Sequence, residues 1–85
     1  MKFIAAIDVM PLKEILDPQG KAVKLGLENL GIHQVSDVRI GKHITLELEA
    51  GSEAEAEEKV HTACQKLLAN LIMEAYTYKI SALAE

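Results

Sequence analysis

A chain of 85 residues with a formal charge of −4, nearly half of it apolar yet with no tryptophan and one phenylalanine, is one small domain with an aliphatic core. By size scaling such a domain hides only about 60% of the surface its unfolded chain exposes, so it gains from a partner subunit. The acidic balance argues against nucleic acid, and no apolar run approaches the roughly 20 residues of a membrane helix. Cys64 is the only cysteine, which allows no internal disulfide and fits a reducing compartment. Lys2 and the short run Phe3 to Ile7 do not make a signal peptide. The expectation is a soluble, cytoplasmic domain.

Lys2 to Met10 reads as a strand, with Phe3, Ala5, Ile7 and Val9 on one face. The other face carries Ile4, Ala6 and Met10, interrupted by Asp8, and is also largely apolar. A sheet covered by helices on one side should have a polar second face. A second subunit is the simplest cover for this one, so self-association is expected.

Asp17-Pro18-Gln19-Gly20 then starts a helix. Asp17 is a good N-cap, and Pro18 suits the first helical position. Gly20 costs about 1 kcal/mol against alanine in a first turn. Its presence points to close approach by another backbone, from this chain or from a partner. The helix runs to about Leu30, with Val23, Leu27 and Leu30 at helical spacing. Gly26 inside it again suggests close packing, and Gly31 suits a left-handed C-terminal position.

From Val35 to Glu49 the apolar residues Val38, Ile40, Ile44, Leu46 and Leu48 fall on even positions. Gly41-Lys42 interrupts the run. Either the chain reverses there as a hairpin pairing Ile40 with Ile44, or this is one long strand bent at Gly41; strand lengths favour the hairpin. Ser52-Glu53-Ala54-Glu55 is a capping box. The helix it opens continues to about Ala69, burying Ala56, Val60, Ala63, Cys64, Leu67 and Leu68, and Asn70 ends it in the left-handed conformation it tolerates. Met73 to Leu83 closes the domain as a strand with Tyr76, Tyr78 and Ile80 on one face. The expected fold is α+β: a two-layer, ferredoxin-like β-α-β-β-α-β sandwich with an antiparallel sheet, over residues 1–85 as a single domain.

A search for chemistry returns little. His33, His43 and His61 lack the i, i+4 spacing of a helical metal site. Cys64, on an apolar helix face, reads as an inert buried thiol. Glu53, Glu55, Glu57 and Glu58 form a solvated helix start, and no glycine loop has phosphate-cradling spacing. Arg39, Gly41 and Lys42 put two cations beside a glycine on an acidic chain. They read as an ordinary polar face and turn, or as a docking edge for an acidic or phosphate-bearing partner.

Leu16-Asp17-Pro18-Gln19-Gly20-Lys21-Ala22-Val23, Asp37-Val38-Arg39-Ile40-Gly41-Lys42 and Lys66-Leu67-Leu68-Ala69-Asn70 followed by Met73-Glu74-Ala75-Tyr76 resemble, in order and spacing, the PurS family. These are the small subunits of phosphoribosylformylglycinamidine synthase, or formylglycinamide ribonucleotide amidotransferase. Leu71 departs from the proline the family often has after the asparagine. The resemblance implies a non-catalytic subunit of a complex in purine synthesis, joining a large synthetase of PurL type to a glutaminase of PurQ type and helping ammonia pass between them. It also implies a homodimer or dimer of dimers. No catalytic, cofactor or metal residue is expected in this chain; ATP and magnesium belong to the synthetase. Candidate partner-interface residues are Asp17, Gln19, Gly20, Arg39, Gly41, Lys42 and Asn70. Two other classes share the element order: a small-molecule-binding regulatory domain of the ACT kind, and a small stand-alone enzyme. Saturable thermal stabilisation by an amino acid would mark the first, and turnover by the isolated chain the second.

Overall fold

The computed structural model describes residues 1–83. Strand β1 (Lys2–Pro11), helix α1 (Pro18–Asn29), strand β2 (Lys42–Glu49), helix α2 (Glu53–Ala63), a π-helical turn (Cys64–Leu68) and strand β3 (Glu74–Ala82) follow in order. The sheet has β1 in the centre, antiparallel to β2 on one side and β3 on the other. This is the α+β, antiparallel, ferredoxin-like arrangement expected, with one strand rather than two between the helices.

The core forms on the expected face. Phe3, Ala5, Ile7 and Val9 are fully or almost fully buried, because period-2 alternation sends all four toward α2. Val60, Cys64 and Ala69 pack on them, with Ile44, Leu46, Leu48, Tyr76, Tyr78 and Ile80 around the margin. Full burial of a side chain such as Ile7 or Val60 stabilises by about 1.5–3 kcal/mol. The thiol of Cys64 is buried, and burial pushes its pKa up.

On the opposite face the apolar strip is narrow. Ile4 sits between Glu47 and Ser81, Ala6 between Thr45 and Lys79, and Asp8 between His43 and Thr77. His43 Nδ1 meets Asp8 Oδ1 at 2.7 Å. The polar flanks come from β2 and β3, so this face is less in need of cover than β1 alone suggests.

Both helix starts follow their sequence signals. Glu55 N donates to Ser52 Oγ at 3.2 Å, and the Glu55 carboxylate accepts from Gly51 N at 2.9 Å. That bond, with Lys59 behind it, holds the Glu55 carboxyl below its usual range. Gly31 has φ +84°. Gly31 N donates to Glu28 O, and Ile32 N donates to Leu27 O, the paired bonds of a Schellman end.

Four expectations are corrected. Val35 to Ile40 forms neither a hairpin nor part of a paired strand; the ladder begins only at Lys42, opposite Val9. The chain does not reverse at Gly41, where a Cβ would collide with Met10 and the carbonyl of Val9. Helix α1 does not lie against the strands as α2 does: Val23, Leu25 and Leu30 are exposed, and an added Cβ at Gly26 would meet nothing within 4 Å. The second helix widens into a π turn at Cys64, closed by Ala69 N donating to Cys64 O. The wider turn takes Leu67 out of the buried stripe, and it is 81% exposed. Finally, Gln34 rather than Asn70 holds a positive φ. Asn70 instead closes the next turn with its side chain, which accepts from Ile72 N at 3.1 Å. Leu71 therefore sits in a turn made without proline.

Candidate functional site: a latch at the end of the central strand

The stretch after β1 must cross from the sheet to α1, and it does so around one carboxylate. Asp17 Oδ1 accepts from Gly20 N at 2.9 Å, the N-cap bond its position predicts. Its second oxygen, Oδ2, accepts from Ile40 N at 2.8 Å, 23 residues away. One side chain thus caps α1 and ties it to the segment that leads into β2. Arg39 fastens the same junction from the other side: Nη1 donates to Ile15 O at 3.2 Å and Nη2 to Leu12 O. Gly20 is buried, with its Cα directly against the Val38 carbonyl. The close approach read from Gly20 is real, and the backbone belongs to this chain.

Two backbone N–H donors on one carboxylate favour its ionised form. Ile40 N–H first, then Gly20 N–H, with the Arg39 charge adding to them against a partial loss of hydration, holds the Asp17 carboxyl below the ordinary 3.8. A carboxylate whose folded pKa is depressed contributes its stability above the unfolded value, and that stability is lost as pH falls through the lowered one. The latch is therefore expected to be closed throughout the ordinary carboxylate range and above it, and to open only as pH falls below that range. Protection of the Ile40 and Gly20 amides, taken relative to their intrinsic exchange rates, should fall on acidification, and Asp17→Asn should remove that step. Unchanged protection of Ile40 across the range would contradict the reading.

The seven residues singled out in the sequence all lie at this end of the molecule, but in different roles. Asp17, Gly20 and Arg39 are brought together in the latch, and Gly41 abuts β1. Lys42 and Asn70 meet through Glu74, whose carboxylate lies 4.0 Å from Lys42 Nζ and accepts from Asn70 N at 2.9 Å. Gln19 is exposed. An open cleft of about 370 Å³ runs beside the latch, lined among others by Glu14, Lys21, Lys24, Asp37 and Arg39. A smaller one, about 260 Å³, lies between Leu16, Ile40 and Met73. Mixed charge and apolar walls suit a polypeptide surface better than a dense anion. Sequence reasoning missed the carbonyls of Leu12 and Ile15, which carry no side-chain signature, and Lys24, whose Nζ donates to Ser36 O at 3.2 Å. The cation at Lys24, three positions after Lys21, was the available signal.

His33, His43 and His61 sit on separate elements, and among the described residues no three metal-binding side chains gather. His61 pairs with Tyr76, Nδ1 to hydroxyl at 3.1 Å. No described helix is long and apolar enough to cross a membrane.

A small α+β domain that leaves one helix and the edges of its sheet uncovered, and uses its hydrogen-bonding side chains to fix backbone to backbone, has the form of a subunit that offers its surface to other chains. The family model described as PurS: Phosphoribosylformylglycinamidine (FGAM) synthase matches residues 4–82. The chain belongs to the PurS family, the small subunit of FGAM synthase in purine biosynthesis. It is 52% identical over 69 residues to the PurS subunit of Synechocystis, covering 81% of this chain and 69% of that one. Over 70 residues it is 44% identical to that of Bacillus subtilis, covering 81% and 82%. The Thermus thermophilus PurS structure superposes with a TM-score of 0.86 at 39% identity, covering 99% of this chain and all of that one. A structure of PurLQS from Thermotoga maritima matches with a TM-score of 0.86 at 34% identity, covering 95% and 99%.

Proposed function

We propose that this chain is a cytoplasmic, self-associating connector that holds a synthetase of PurL type and a glutaminase of PurQ type in one complex and lets ammonia pass between them, without itself contributing catalytic groups. The observation that carries the reading is the match along 95% of the chain to a chain of the Thermotoga PurLQS structure. Exposed Leu25, Leu30, Leu67 and Ile72 support it, since large apolar side chains left on a small domain mark interaction surface. Gln19, Gly41, Lys42 and Asn70 are the candidate partner contacts still open to solvent; Asp17, Gly20 and Arg39 act behind them by fixing the backbone. Nothing in the comparisons favours an ACT-kind binding domain.

Sedimentation of the three matching chains tests the connector role. Synthetase and glutaminase should form one assembly with this protein under turnover conditions, and separate boundaries without it. An assembly of the same size in its absence would remove the role. The protein alone should sediment as a dimer or larger at micromolar concentration; a stable monomer would remove self-association.

A further inference from the structure

Among the described residues, strand β3 has β1 on one side and no strand on the other. The ladder decides which of its main-chain groups face outward. Leu83 N donates to Lys2 O, and Leu12 N donates to Met73 O. The odd-numbered residues of β3 therefore exchange their bonds with β1, and the even-numbered ones turn theirs away. Tyr76, Tyr78 and Ile80 each present an N–H and a C=O to the open side. Glu74, the even residue before them, already donates its N–H to Asn70 O in the preceding turn.

Free edges are ordinarily blunted by proline, a bulge, shortness or an inward charge. This one is not. β3 runs nine residues from Glu74 to Ala82 without proline, and its register with β1 is unbroken. Lys79, the only charge after Glu74, lies on the odd-numbered face, away from the core.

Helix α2 makes a wall along the same edge. Glu57 Oε1 accepts from the Tyr78 hydroxyl at 3.5 Å, and His61 Nδ1 meets the Tyr76 hydroxyl at 3.1 Å. Beside these pairs is a cleft of about 400 Å³ lined by Ala54, Glu57, Glu58, His61 and Tyr78. Both carboxylates are exposed, and neither Lys nor Arg lines the cleft. A strand added here would place the residue opposite Tyr78 on the same face as Tyr78, so its side chain would enter the cleft. Two carboxylates there call for a cation. The same charges count against a second copy. Two β3 edges paired about a two-fold would set Glu57 and Glu58 of one α2 against those of the other.

We propose that β3 is extended by one strand from a chain that this protein joins: an extended segment with a lysine or arginine opposite Tyr78 and apolar residues opposite Tyr76 and Ile80. The proposal rests on the connector role put forward above and names a surface for it. Main-chain bonds along the edge supply affinity, and the cleft supplies selectivity.

Exchange at single amides tests it, read by NMR on this protein after incubation with the matching synthetase or the matching glutaminase. In the protein alone, Thr77 and Lys79 should be protected while Tyr76, Tyr78 and Ile80 exchange freely. One of the two chains should slow those three amides at least about tenfold. Glu57→Lys combined with Glu58→Lys should weaken capture of that chain at least about tenfold and leave protection in β1 unchanged. Undiminished capture by this variant would overturn the proposal. Capture of both chains with the three amides exchanging as in the protein alone would overturn it and leave the connector standing. Protection of the three amides that rises with the concentration of this protein alone would give the edge to a second copy, and would overturn it too. If neither chain is captured, the connector role and the edge fall together.

Discussion

Gly20→Ala is expected to destabilise the protein by about 2–3 kcal/mol, the upper part of the range for forcing a methyl into packed structure. An added Cβ would overlap the Val38 carbonyl and crowd Asp17 Oδ2. Neither neighbour can yield cheaply. The carbonyl is backbone, and the carboxylate is already bonded to Gly20 and Ile40. Moving either one opens the latch, so local packing and the tie between α1 and β2 are lost together. At about 4–8 °C per kcal/mol for a domain this small, the melting temperature should fall by about 10 °C or more. Gly26→Ala is the matched control: it lies mid-helix with open space around it, and alanine there should be neutral or stabilising by up to about 1 kcal/mol. Urea melts of the two variants measure both. Equal behaviour at the two positions would show that Gly20 is not under the constraint described.

The contrast between these glycines shows what the sequence could and could not say. Each raised the same expectation of close packing, because a glycine inside a helix costs the same wherever it lies. Only the path of Val38 separates them, and that path is set by hydrogen bonds 23 residues away in sequence. Local signals were legible: the Asp17 cap, the Ser52–Glu55 box, the Gly31 ending and the alternation of Phe3, Ala5, Ile7 and Val9 each follow from a few neighbouring residues. Val35 to Ile40 was not. Its even-position pattern is that of a strand, but its polar groups bond to the stretch from Leu12 to Gly20 instead of to a neighbouring strand. The acceptors of Arg39 there are main-chain carbonyls, which leave no mark in a sequence. Leu27 and Leu30 illustrate the same limit: periodicity shows that α1 has an apolar face but not which surface receives it. Among the candidate contacts, Arg39 stood out by its charge, and its observed partners are this chain's own Leu12 and Ile15.

The proposed connector role depends on a property no single side chain carries, the joining of two other proteins. A connector matters when ammonia released by one subunit must reach another, since holding the two together replaces free diffusion by a high local concentration. It matters little when ammonia is supplied in solution. The measurement is amidine formation by the matching synthetase and glutaminase, with ATP, magnesium and formylglycinamide ribonucleotide, with and without this protein, driven either by glutamine or by an ammonium salt. Omitting the protein should lower the glutamine-driven rate on the order of tenfold or more and leave the ammonia-driven rate of the synthetase much less affected. Glutamine-driven turnover that is the same in its absence would contradict the account.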